Sequence, residues 1–185
     1  MRVITGTARG TNLKTPEGMH TRPTADRVKE ALFNVIQYEI RGEVLDLFAG
    51  TGQLGIEALS RGAAHAVFVD QRADAVGLVR ENLRRTHLSD RAEIYCGDYL
   101  AYLDRCTKRF DLIFLDPPYA EKSLENAILR ISEIDILADG GIIITERPRG
   151  KLLELELPGL TRSKDYNYGK TTITLFRRES REDIT

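Results

Sequence analysis

From residue 43 onward, short apolar runs alternate with amphipathic helical patterns, and this rhythm restricts the folds open to the chain. Val44-Leu45-Asp46-Leu47-Phe48 reads as a buried strand, and Gln53 to Ser60 as a helix closed by Gly62. Ala66 to Val69 is the second strand. A helix over Ala73 to Thr86 follows, with Val76, Val79 and Leu83 on one face. Ala92 to Cys96 and Leu112 to Leu115 are the third and fourth strands, and Gly141 to Thr145 the fifth. A helix around Ser123 to Ile131 carries Leu124, Ile128 and Ile131. Strands that alternate with helices imply crossover connections, hence an α/β fold: a mostly parallel sheet with helices on both faces. The rhythm then breaks. Arg162 to Tyr168, a Gly169-Lys170 turn and Thr171 to Phe176 predict an antiparallel C-terminal hairpin at one sheet edge.

Residues 1–41 do not follow that rhythm. Arg2 to Thr5 and Asn12 to Lys14 read as a small β-hairpin around a Gly6-to-Gly10 bend. Thr24 reads as the N-cap of a helix whose first turn holds Asp26 and whose apolar stripe is Val28, Leu32, Val35 and Ile36. The 185 residues suit one core with little left for a second. The expected division is therefore an extension over 1–41, an α/β domain over 42–178 and a tail over 179–185.

Asp46 to Gly55 joins the first strand to its helix, with Gly50, Gly52 and Gly55 at G-x-G-x-x-G spacing. Such glycines permit a tight turn and close approach of a ligand to backbone. Asp70, at the end of the second strand, can accept hydrogen bonds from both ribose hydroxyls of a nucleoside, with Gln71 beside it. A pyrophosphate would find Asp46 unwelcome, whereas a cationic ammonium suits it. That points to S-adenosylmethionine held by Asp46, Phe48, Ala49, Gly50, Thr51, Gly52, Asp70 and Gln71. Asp98, before Tyr99, either accepts from the adenine amine or caps the next helix; spacing leaves both open.

Asp116-Pro117-Pro118-Tyr119 follows the fourth strand, at the switch point where ligands of such sheets bind. Two prolines fix φ and present carbonyls without N–H groups of their own. An exocyclic base amine is a poor nucleophile because its lone pair is delocalised into the ring. A carboxylate and a backbone carbonyl accepting its two hydrogens would aim it, and would stabilise the positive nitrogen that develops. Tyr119 offers a face on which the base can stack.

With these residues in place, the sequence resembles the RsmD family nearly end to end. The likeness runs through Arg2 to Gly6 with Arg9-Gly10, Arg22 to Asn34, Asp46 to Ala63 and Asp116 to Tyr119. It implies a Rossmann-like class I methyltransferase with a seven-stranded sheet, acting on the exocyclic N2 amine of one guanine in 16S ribosomal RNA. It further implies that Arg22 to Thr24 closes over the methionine end of S-adenosylmethionine, and that the N-terminal hairpin helps hold RNA.

Charge distribution agrees with an anionic partner. Residues 1–29 hold six Lys/Arg against two Asp/Glu, and residues 147–178 hold eight against three, although the whole chain is only −1. Arg2, Arg9, Lys14 and Arg149 are the candidate phosphate contacts, with 16S RNA inside small-subunit particles as the expected partner. No apolar run approaches the roughly 20 residues that span a bilayer, and no secretory signal is visible. Cys96 and Cys106 have no partner at metal-ligand spacing and read as buried or idle thiols, so a cytoplasmic protein without metal is expected. Two other readings stay open: an adenine amine in DNA or another RNA, and a non-catalytic nucleoside-binding regulator.

Overall fold

The computed structural model describes residues 1–16, 23–118 and 122–178, with 23–25 by backbone alone. Helix α1 spans Pro23–Val35, and the sheet rhythm then begins: β1 Glu43–Asp46, α2 Gln53–Ser60, β2 His65–Asp70, α3 Ala73–Arg85 and β3 Ala92–Cys96. It continues with α4 Tyr99–Leu103, β4 Phe110–Leu115, α5 Ser123–Ile134 and β5 Leu137–Pro148, and ends in β6 Leu160–Arg162, β7 Tyr166–Tyr168 and β8 Thr171–Arg178. Among the described residues, no helix is long and apolar enough to cross a membrane.

The strand order is β3-β2-β1-β4-β5-β8-β6, with β7 also paired to β8. Strands β1 to β5 are parallel to one another, and β8 inserts antiparallel between β5 and the β6/β7 pair. The predicted edge hairpin is therefore present, but its first strand is cut in two. Between the pieces Asp165 turns inward, accepting from Arg147 Nη2 at 2.6 Å and from Thr174 Oγ1 at 2.7 Å. Ser163 bridges the gap through both its backbone N–H and its hydroxyl to Leu175. Counted as one interrupted strand, β6 and β7 give the expected seven; counted apart, there are eight.

Period-two alternation sorts the strands' side chains onto two faces. Val44, Phe68, Leu112, Phe114, Ile142, Ile144, Ile173 and Leu175 pack with α1, α2, α3 and the N-terminal segment, while Leu45, Val67, Val69, Ile113, Leu115, Ile143 and Phe176 pack with α5. On the first face Phe33 of α1 lies 5.7 Å from Phe114, and the Arg61 guanidinium sits 4.8 Å from the Phe33 ring centre. Glu39, just past α1, pairs with Arg177 at 3.1 Å, and Arg177 lies opposite Ile142 low in the sheet. Helix α1 therefore directs its N-terminal end toward the edge where β1, β4 and β5 finish.

Four local expectations are corrected. Thr24 is not the N-cap, because α1 already begins at Pro23, whose missing N–H costs nothing in a first turn. The first strand ends at Asp46, with Leu47 and Phe48 in the turn after it. The N-terminal hairpin is one bridge, Arg2 to Asn12, rather than two paired strands. Cys96 is exposed and Cys106 half-buried, so neither is a core thiol.

The short N-terminal segment is fastened by buried polar groups. Glu57 of α2, fully buried, accepts from the Ile4 and Thr5 N–H groups at 2.8 and 3.0 Å and from Arg61 Nε at 2.8 Å. Lys29 of α1 stands 3.6 Å from Glu57 and donates to the Arg2 carbonyl at 2.6 Å. Asn82 of α3 exchanges hydrogen bonds with the Lys14 backbone and also donates to the Thr51 carbonyl at 2.9 Å. The same helices that build the sheet thus tie residues 1–14 to it.

Candidate active site

The turn after β1 is shaped by two glycines in the left-handed region, Gly50 at φ 55° and Gly52 at φ 76°. A Cβ on Gly50 would meet nothing within 4 Å, so the backbone there borders open space. Gly55 has a different purpose: a Cβ would lie 2.4 Å from Phe68 Cε1, and its absence lets α2 sit against β2. Asp46 accepts from the Gly55 N–H at 3.0 Å, and Asp70 Oδ2 from the Gly50 N–H at 2.8 Å. The two acids at the ends of β1 and β2 therefore brace the turn from both sides.

Asp46 is 2% exposed, and burial pushes its carboxyl up to about 7 despite the Gly55 hydrogen bond, with the Asp70 charge adding to the rise. Its bond to Gly55 is a backbone role of its own, and it coexists with the burial of an acid that has no ion-pair partner among the described residues. Asp70 also accepts from the Arg72 N–H at 2.9 Å. Asp98, an exposed residue, caps α4 by accepting from the Ala101 N–H at 3.0 Å, so the capping reading holds for that oxygen. Tyr99 stacks at a tilt on Phe48, ring centres 5.0 Å apart, and Gln71 is exposed beside Asp70. Ala49 is buried with its N–H bonded to the Val69 carbonyl, while Thr51 is half-buried.

Asp116 and Pro117 leave the sheet at the end of β4, directly beside β1 in the strand order. Pro117 is buried and Pro118 exposed, and Tyr119 falls outside the described residues, as does Arg22; for Thr24 only the backbone is described. The Asp116 carboxyl is pushed well above the usual carboxylate range, first by burial and then by the charges of Glu146 and Asp46. Glu146 was not singled out by sequence. Register explains its presence: Leu115 pairs with Thr145, so Asp116, just past the end of β4, comes level with Glu146, which lies within β5 opposite Ile173 of β8. Burial raises Glu146 as well, offset by the Thr171 hydroxyl at 3.5 Å.

Asp46, Asp70, Asp116 and Glu146 all continue the alternation of Val44, Phe68, Phe114 and Ile144, and so belong to the face that carries α1. The geometry brings a ligand cradle and a desolvated acid together at one sheet edge. Such a site can hold a cation against Asp46 and aim an N–H-bearing group with Asp116.

The basic candidates divide into two places. Arg2 and Arg9 are exposed and, with Arg27, line a cleft of about 590 Å³ between the N-terminal segment and α1 that also holds Asp26 and Glu30. Lys14 is partly occupied by Glu81 at 3.5 Å. Arg149 is exposed past β5, its N–H bonded to the Lys170 carbonyl, beside the end of the strand that carries Glu146.

The sequence model of the family described as Conserved hypothetical protein 95 matches residues 1–177. YlbH of Bacillus subtilis is 42% identical over 186 residues, covering 96% of this chain and 99% of that protein. Ribosomal RNA small subunit methyltransferase D of Haemophilus influenzae is 36% identical over 157 residues, covering 83% and 81%. Among solved structures, yhhF of Escherichia coli superimposes with a TM-score of 0.87 at 31% identity, covering 98% of this chain and 99% of that one.

Proposed function

This chain belongs to the RsmD family of class I methyltransferases, and we propose that it methylates the exocyclic N2 amine of a guanine in the 16S ribosomal RNA of the small subunit. The observation that carries the reading is the desolvated Asp116 carboxyl on a proline-stiffened turn beside the glycine cradle. The cradle fits S-adenosylmethionine: open space over Gly50 admits a ligand, and the buried Asp46, with no ion-pair partner among the described residues, suits its ammonium. S-adenosylmethionine is the donor, and when bound it supplies an electrophilic methyl carbon on a sulfonium.

The chain's own residues do the rest. Asp46 holds the methionine ammonium, Asp70 the ribose, and Phe48 to Gly52 with Tyr99 border the nucleoside. Arg22 and Thr24 close over the methionine end. Asp116 and a carbonyl of the Pro117-Pro118 turn accept the two hydrogens of the target amine and fix its direction, while Tyr119 stacks on the base. As the nitrogen becomes positive, both acceptors bind it more strongly, so their effect is greatest at the transition state. No strong base is needed, because the product ammonium is acidic. Arg2, Arg9, Lys14 and Arg149 hold the RNA backbone.

The test is to incubate the protein with methyl-labelled S-adenosylmethionine and, separately, naked 16S RNA, assembled small subunits and duplex DNA. Label in ribosomal RNA is expected. Label in DNA would replace the reading with a DNA enzyme, and no label in any arm would leave a non-catalytic binder.

A further inference from the structure

Side by side where the pairing of β4 with β5 ends, Asp116 and Glu146 are carboxyls on the same sheet face, one residue beyond the last registered pair, Leu115 with Thr145. Neighbouring strands run about 4.8 Å apart, close enough for two carboxyls to meet adjacent groups of one base edge. Glu57, the acid buried on α2, is matched by the cations Arg61 and Lys29. Among the described residues Asp116 and Glu146, both half-buried at the site end of the sheet, have no such partner, and neither has Asp46 beside them. Thr171 Oγ1, 3.5 Å from Glu146 Oε1, is the neighbour that orients the group.

Resting on the guanine reading above, we propose that Glu146 is a specificity-determining residue that accepts the N1–H of the target guanine while Asp116 holds its N2 amine. Guanine presents N1–H and the amine next to each other, so two neighbouring carboxylates are satisfied at once. Adenine presents a lone pair at N1, which a carboxylate repels. A site built to accept a substrate N–H rejects the analogue lacking it far more strongly than a shape mismatch would. The donors also return to both carboxyls the hydrogen bonds that burial removed, which favours their ionised forms on binding.

The experiment compares wild type with Glu146→Gln on small subunits carrying either the mapped target guanine or adenine at that position. Gln keeps an acceptor for Thr171 and offers N1 of adenine a donor. Wild type should prefer guanine strongly. In Glu146→Gln, kcat/KM on guanine should fall by about tenfold or more while transfer to adenine rises, with melting temperature and S-adenosylmethionine affinity retained. An unchanged guanine-to-adenine ratio would overturn the role of Glu146 and leave the guanine reading standing. Equal losses on both bases, accompanied by weaker cofactor binding or lower stability, would make Glu146 structural and overturn it as well. Failure of wild type to methylate any guanine amine would instead overturn the proposed function itself.

Discussion

At Asp46 two demands meet in one carboxyl, which accepts from the Gly55 N–H and is held in a site that burial has pushed up to about 7. Because the folded chain binds this proton more tightly than the unfolded one, stability falls as pH rises from the usual carboxylate value of 3.8 to about 7, and the penalty is complete above that. Asp46→Asn keeps an acceptor for Gly55 and removes the charge. Its melting temperature should exceed wild type by roughly 3–8 °C at pH 8, and the gain should vanish toward pH 4. The same variant should bind S-adenosylmethionine more weakly in calorimetry. Equal melting curves across that range would mean the carboxyl is not desolvated. At Asp116 the expected effect is of a different kind. Asp116→Ala should abolish methyl transfer while cofactor binding survives, because the amine loses an acceptor and the cradle does not. Turnover at the wild-type rate would refute the clamp.

Among the elements, α2 connects the cradle to the N-terminal segment. Its first turn packs Gly55 against Phe68, and one turn from its end Glu57 gathers two backbone N–H groups, Arg61 and Lys29. Burial lowers the Lys29 ammonium, and the Glu57 and Asp26 charges oppose that fall. Breaking a buried pair of this kind costs about 3–5 kcal/mol, because the remaining charge stays enclosed. Glu57→Ala should therefore lower stability by that order and speed amide exchange at Ile4 and Thr5 before the sheet opens. Uniform exchange, with no early release of those amides, would argue that the segment is held by Val3 and Leu13 packing instead. None of this was visible in sequence. The Ile4 and Thr5 amides lie 53 and 52 positions from Glu57, and neither Glu57 nor Lys29 breaks the helical pattern around it. By contrast, β1 to β5 were readable because each is an apolar run bounded by turn residues. The break between β6 and β7 was not, since it depends on Asp165 finding Arg147 and Thr174 across the sheet.

For the whole molecule, the basic ends and acidic centre of a nearly neutral chain take on spatial meaning. Arg2 and Arg9 converge on the cleft along α1, Arg149 stands past β5, and the acids of the central segment include the four at the sheet edge. Neutralising Arg2, Arg9 and Lys14 together should weaken RNA binding and reduce the slope of log affinity against log salt by roughly two to three. Since Glu81 already occupies Lys14, that residue should contribute least. An unaltered slope would assign the cleft to solvent. The glycine cradle and the Asp-Pro-Pro turn were legible because each concentrates its chemistry in a few consecutive residues. Glu146 was not, because its relation to Asp116 exists only once β4 and β5 are neighbours in register. The central claim is that this sheet edge presents a guanine amine to a methyl donor. Its most direct test is mass-spectrometric mapping of RNA from small-subunit particles after reaction with the wild-type protein. One guanosine in 16S RNA carrying a single added methyl on N2 is the predicted result; a methyl on adenine, on a ring carbon, or on no nucleotide would contradict it.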